Sequence, residues 1–311
     1  MAYAKIIDID DPGYFRLKSI DQSQLKQFLK NPADWAYHRL NDDHKPTDAM
    51  KFGTAFHAYL LGTSDVVSLP EGESFRSKDN QKWRADQLEA GNIIVSYNDM
   101  QLLKRMKEGI EQTSLMPEYP DYMEIIEQGT KEQCIEWKDR QTGLMLKAKP
   151  DLIPAGTDYL VDLKTAQKAD AESFAKEVIN YGYHIQTVFY RAAVAACKPD
   201  AFDRGSKAPS TMQFWVFEKT DACDWQPFSI SDDNPITNLA ATSIRQALLA
   251  SLDGQESQGG RLRREHSRPR GRRREVCAPT WFQQEGQGGF VPELAAADCG
   301  KHALRSRQLI A

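Results

Sequence analysis

A chain of 311 residues with 41% hydrophobic residues and a net charge of −4 is long enough to bury a core as one large domain or as a core domain with an extension. It holds no run of about 18 apolar residues that would cross a bilayer, and the opening MAYAKIIDIDDPGYF has neither the basic nor the apolar segment of a signal peptide, so a cytoplasmic protein is expected. Five cysteines (Cys134, Cys197, Cys223, Cys277, Cys299) are odd in number and form no CxxC, which argues against a disulfide framework and against a zinc or iron–sulfur site.

In chain order, Ser23 ahead of QLKQFLKNPADWAYHRL is a plausible N-cap, and Leu25, Phe28 and Leu29 start an apolar stripe. AMKFGTAFHAYLLG predicts a second helix ending at Gly62, with Phe52, Phe56, Tyr59 and Leu60 on one face. Residues 80–114 predict one or two further helices. The period then changes. YMEIIEQG, EQCIEWKD, GLMLKAKPDLI and DYLVDLKTA alternate in part with period two and are separated by polar or Gly breaks, as successive antiparallel strands would be. Helices near 170–180 and 184–197, a strand TMQFWVFEK and a closing helix near 235–252 complete an α/β order, a central mixed β-sheet flanked by helices.

The tail differs in chemistry. Residues 259–311 hold 11 Lys and Arg against 5 Asp and Glu, a balance of +6 that leaves −10 on residues 1–258. GGRLRREHSRPRGRRREVCAPTWFQQEGQGGF shows no helical or strand period, so residues 1–258 are expected to form the domain and 259–311 an Arg/Gly-rich disordered extension. A basic arm for nucleic acid and a shifted reading frame are the other readings of that tail.

Residues 147–166, KAKPDLIPAGTDYLVDLKTA, carry the most chemistry. If Pro154 to Thr157 form a four-residue loop, Ile153 faces Asp158 and Asp162 stands opposite Lys149, with Asp151 one diagonal step away. Alternation then places Lys147, Lys149, Asp151, Asp162 and Lys164 on one face and Leu146, Ala148, Leu152, Tyr159, Val161 and Leu163 on the other. Across that diagonal, roughly 7–8 Å between backbones, two carboxylates can converge on one ion. A hard cation such as Mg²⁺ takes oxygen ligands; it can activate a water and neutralise a phosphate oxygen. A neighbouring lysine can stabilise the crowded phosphorus. These are the parts that phosphodiester hydrolysis needs, although a lone D-x-K on a strand is more often a solvated ion pair.

The pair is not alone. Pro150–Asp151, a gap and Asp162–Leu163–Lys164 resemble the PD-(D/E)xK nuclease motif. Gln186 and Tyr190 in YGYHIQTVFYR match the Q-x-x-x-Y element of its RecB-like branch, and Gly53, His57 and Leu60 match that branch's G-x-x-x-H-x-x-L helix. Over roughly residues 20 to 250 the pattern is similar to the RecE-like exonucleases. The tail shows no such likeness.

The resemblance implies a PD-(D/E)xK core with His57, Asp151, Asp162 and the backbone carbonyl of Leu163 as metal ligands and Lys164 as the catalytic lysine. Gln186 and Tyr190, sharing a helix stripe as i and i+4, would shape the DNA end. Lys147 and Lys149 are weaker candidates for phosphate contacts, and Ser23, at a helix N-terminus, for a terminal phosphate. The resemblance further implies a Mg²⁺ enzyme, with Mn²⁺ as a substitute, that digests linear duplex DNA 5′ to 3′ and leaves 3′ single strands for a RecT-like annealing partner. It also implies a homo-oligomer, with a tetrameric ring as one form, in which channel lining rather than the −10 of the body would set the field felt by DNA. A sequence- or structure-specific endonuclease would use the same hairpin. A non-catalytic end-binding scaffold would be expected to have lost one of His57, Asp151, Asp162 or Lys164, and all four are present.

Overall fold

Two apolar cores lie on opposite faces of one five-stranded sheet in the computed structural model, which describes residues 4–41, 46–197 and 209–264. The first half is mostly helical: β1 (Ala4–Ile7), α1 (Asp11–Arg16), α2 (Gln22–Lys30), α3 (Pro32–Asn41), α4 (Asp48–Leu61), β2 (Val66–Ser68), α5 (Lys78–Glu89), β3 (Ile93–Val95), α6 (Tyr97–Ser114) and α7 (Tyr122–Gln128). Strands follow as β4 (Thr130–Lys131), β5 (Cys134–Lys138), β6 (Met145–Ala148), β7 (Leu152–Ile153) and β8 (Tyr159–Ala166). Helices α8 (Ala171–Asn180) and α9 (Tyr183–Ala196) cross over to β9 (Thr211–Glu218), β10 (Trp225–Ser231) and α10 (Pro235–Arg264).

The main sheet runs β10-β9-β8-β7-β4, with β8 and β9 parallel and its other neighbours antiparallel. A second sheet, β1-β5-β6, is antiparallel, and β2 and β3 form a short parallel pair. This is the expected α/β architecture with a mixed sheet between helices. Along β8 the side chains alternate as a strand requires. Leu160 and Ala166 enter the core shared with α8, α9 and α10, beside Phe174, Phe189 and Phe214. Val161 and Leu163 enter the core shared with α4, α6 and α7, beside Phe56, Leu103 and Trp215.

Helix α4 ends as expected, with Gly62, at φ +68°, turning the chain out of it in the left-handed region, and Thr47 caps its start by accepting from Met50 N–H. Four readings are corrected. Helix α2 is capped by Asp21, whose carboxylate accepts from Gln24 N–H at 2.9 Å, whereas Ser23 sits exposed in the first turn. A carboxylate is the better partner for the positive end of a helix. YMEIIEQG is helical: Asp121 caps α7, and Tyr122 and Ile126, one turn apart, are its buried side. GLMLKAKPDLI is divided between two sheets, as β6 and β7, with the chain bending at residues 149–151. Finally, β7 pairs with β8 at Leu152↔Val161, so the loop is five residues long and Lys149 does not face Asp162.

Of the predicted tail, residues 259–264 continue α10 and 265–311 lie outside the described residues, as do Cys277 and Cys299. Cys134, Cys197 and Cys223 are buried free thiols. No described helix is long and apolar enough to cross a membrane.

Candidate active site

The pairing of β7 with β8 stops after Val161, and the chain bends away at Asp151, opening a fork in the sheet. The backbone of Leu163 would have no neighbour there, and side chains supply one. Its N–H donates to Oδ2 of Asp151 at 2.8 Å, and its carbonyl lies 3.0 Å from Nε2 of His57. His57 comes from α4, where its i+3 neighbour Leu60 and the preceding Phe56 are buried and fix the helix against the sheet. Its Nδ1 is 3.5 Å from Oδ2 of Asp151. Asp151, His57 and the Leu163 carbonyl therefore meet at one point.

Asp162 faces the other helix layer. It is only 1% exposed. Its Oδ1 accepts a short hydrogen bond from Nε2 of Gln186 on α9, and the ammonium of Lys164 lies against its Oδ2 in an ionic contact off the hydrogen-bond direction. Lys164 also donates to Oε1 of Gln186 at 3.3 Å and sits 4.8 Å above the ring of Tyr183. Gln186 thus bridges the acid and the lysine. Tyr190, one turn on, hydrogen-bonds Gln186 and is buried; burial, then Asp162 and Asp151, raise its pKa and keep it a neutral phenol.

Burial raises the pKa of Asp151 to about 6; Asp162 adds to the rise, while His57, Lys164 and the Leu163 N–H oppose it. Burial is thus the main reason that Asp151 resists losing its proton, with the second carboxylate a smaller one. Among the described residues no group of three or more His, Cys, Asp and Glu is arranged to hold a metal ion by side chains alone. The donor set nevertheless suits a hard divalent cation: two carboxylates, the Leu163 carbonyl as a third oxygen, and His57 beside them. Such a cation would offset both the burial and the neighbouring charge that raise Asp151.

Three weaker candidates fall elsewhere. Lys147 is 1% exposed and points away from the acids, donating to the carbonyls of Tyr14 and Leu17 at 2.9 and 3.0 Å with Asp21 at 3.8 Å. Lys149 is engaged by Asp11 at 2.5 Å and Glu132 at 3.2 Å. Together they clamp α1 against the start of the fork, which is a structural task and not the phosphate contact expected. Ser23 is not a cap, and among the described residues its side-chain partner is Gln22. Sequence reasoning missed Tyr183, which carries the Lys164 ammonium on its ring; its place one turn before Thr187 on the Gln186 helix was the available signal.

An α/β sandwich with two acids, a lysine and a glutamine gathered where a strand pair splits defines the PD-(D/E)xK class of nuclease folds. The chain belongs to the family described as a PDDEXK-like domain of unknown function, DUF3799, whose profile matches residues 21–251. Nucleases of this class use divalent metal ions. Among solved structures, a protein of Eubacterium rectale provisionally described as an exonuclease is 16% identical over 80% of this chain and 88% of its own, with a TM-score of 0.51. The alkaline exonuclease LHK-Exo of Laribacter hongkongensis is 16% identical over 69% of this chain and 100% of its own, with a TM-score of 0.29. No curated protein matches the chain.

Proposed function

We propose that this chain is a Mg²⁺-dependent exodeoxyribonuclease that hydrolyses the phosphodiesters of linear duplex DNA from the 5′ end, as the RecE-like exonucleases that its motifs resemble do. The observation that carries the reading is the Asp162–Gln186–Lys164 triangle beside Asp151 and His57. Asp151, Asp162, the Leu163 carbonyl and His57 would hold the cation, with Mn²⁺ as a substitute. When bound, it supplies an activated water and charge neutralisation at a phosphate oxygen. Gln186 fixes the direction of the Asp162 carboxylate. Lys164, held between Asp162, Gln186 and the Tyr183 face, presents a charged donor to the reacting phosphate, where developing negative charge needs it. Tyr190 holds Gln186 in place.

The product would be a duplex with a 3′ single strand, the substrate of a RecT-like annealing protein in recombination. A homo-oligomer, as a ring of four in one form, would enclose the duplex. The test is digestion of end-labelled linear duplex beside a covalently closed circle of the same sequence, with Mg²⁺, Mn²⁺, Ca²⁺ or EDTA. Release of 5′ label from the linear substrate with Mg²⁺ or Mn²⁺ alone is expected. Cutting of the closed circle would make the chain an endonuclease, and activity in EDTA would remove the metal from the reading.

A further inference from the structure

An open cleft of about 750 Å³ lies between α2 and the corner that joins α8 to α9, with α10 at its back. Its walls include Lys26, Lys30, Tyr181 and His184. Lys26 belongs to α2, yet its stem runs across Gly182, where an added Cβ would come within 2.6 Å of Lys26 Cδ. Gly182 has φ +65°, so glycine serves that corner twice, by conformation and by clearance. The Lys26 ammonium ends 3.0 Å from the Tyr181 carbonyl, and among the described residues no carboxylate lies within ion-pair distance of it. Two residues beyond Tyr181, the ring of Tyr183 carries the ammonium of Lys164. One short turn thus holds the catalytic lysine on one side and Lys26 on the other.

We propose that this cleft is a nucleotide subsite of the strand being cleaved, next to the scissile phosphate, with the Lys26 ammonium on the neighbouring phosphate and the Tyr181 ring against its base. The proposal rests on the nuclease reading above. Lys26 is partly buried, carries its charge beside Lys164, and donates to one backbone carbonyl; burial, then Lys164, lower its pKa to about 8 against the opposing pull of Asp162 and Asp21. Asp162 and Asp21 act on it only from a distance, and Asp34 in the cleft wall is bonded to Gln27, so a phosphate would supply an anion in contact with the ammonium. Lys30 stands one turn further along the same wall, and no carboxylate pairs with it among the described residues. Tyr181 is 59% exposed on the rim, with its ring centroid 5.8 Å from that of Tyr183. Aromatic rings used in this way hold single-stranded bases without reading their sequence. His184 forms part of the floor, with Nδ1 bonded to the Val178 carbonyl and a pKa lowered by burial, so it adds shape and no cation.

Lys26→Met keeps the stem on Gly182 and removes the charge, and Tyr181→Ala removes an exposed ring. Both are compared with the wild-type full chain for cleavage of linear duplex in Mg²⁺ and for binding of a fluorescent duplex with a single-stranded end in Ca²⁺, over a range of salt. Lys26→Met should raise the KM for DNA about tenfold with a smaller change in kcat, and lower the slope of log affinity against log salt by about 0.7–0.9, the loss of one phosphate contact. Tyr181→Ala should weaken binding about fivefold or more at an unchanged salt slope, as the loss of one stacked base does. If the wild type cleaves DNA and both variants match it in KM, affinity and salt slope, the subsite is overturned and the nuclease reading stands. If the wild type neither binds nor cleaves DNA, both fall.

Discussion

Asp151 takes the place of a missing strand beside Leu163: its carboxylate accepts the N–H that the fork leaves without a backbone partner. The same oxygen faces Nδ1 of His57. One side chain therefore closes the sheet and opens the site.

Substitutions at this position should separate those tasks. Asp151→Ala leaves a buried N–H without an acceptor and should cost about 1–3 kcal/mol of stability as well as all cleavage. Asp151→Asn keeps an acceptor and removes the charge, so it should abolish cleavage and spare the fold. Because folding raises this pKa, the folded metal-free chain holds a proton that the unfolded chain has lost between roughly pH 4 and pH 6. Stability from this group is therefore lost as pH rises through that window and stays level above it. Urea denaturation of wild type and Asp151→Asn in EDTA, from pH 4 to 7, should show a slope that the variant lacks; equal slopes would refute the assignment.

Lys164 and Asp162 should part company in a metal titration. The lysine lies on the carboxylate that would receive the cation. Lys164→Met should therefore bind Mn²⁺ at least as tightly as wild type while turning over about 10²–10³-fold more slowly, the loss of one transition-state charge. Asp162→Ala should lose both functions, and His57→Ala should follow it more mildly. Calorimetric titration beside the nuclease assay decides the matter. Loss of metal binding in Lys164→Met would mean that the lysine organises the ligands instead.

Gln186 makes no contact with the expected cation ligands other than Asp162, so its part is to aim that carboxylate. Gln186→Leu should lower kcat about 10–100-fold, the range for losing a side chain that orients a ligand, with little change in KM. A KM effect larger than the kcat effect would place Gln186 on the DNA instead.

Lys147 offers a control. Buried against two carbonyls with Asp21 nearby, it should cost about 3 kcal/mol or more of stability as Lys147→Ala, by stranding those acceptors and leaving a cavity. The salt dependence of DNA binding should not move. A folded variant of wild-type stability with a reduced salt slope would return Lys147 to the DNA surface.

Motif spacing made the catalytic strand legible because its residues meet over short distances. Asp162 and Lys164 share one face of β8, and Gln186 and Tyr190 lie one turn apart on α9, whatever the rest of the chain does. The lysines at 147 and 149 were misplaced for the opposite reason. Local alternation cannot reveal that the chain leaves one sheet and joins another between Ala148 and Leu152, nor that the partners of Lys147 are Tyr14 and Leu17, far back in the chain. YMEIIEQG offered a helical and a strand period in eight residues, and the Asp121 cap decided between them. β10 went unseen because Pro227 interrupts its run, a residue that an edge strand accepts and a central one does not.

The parallel pairing of β8 with β9 has a consequence for the order of synthesis. A ribosome that has released residues up to 197 has already made Asp151, Asp162, Lys164, Gln186 and Tyr190, yet β8 then has β7 as its only neighbour, matched at a single position. Eight further rungs arrive only with residues 211–218. An unfinished polypeptide would thus carry Asp162 and Lys164 on a weakly supported strand, and the site would be braced only once residues 211–218 had joined the sheet.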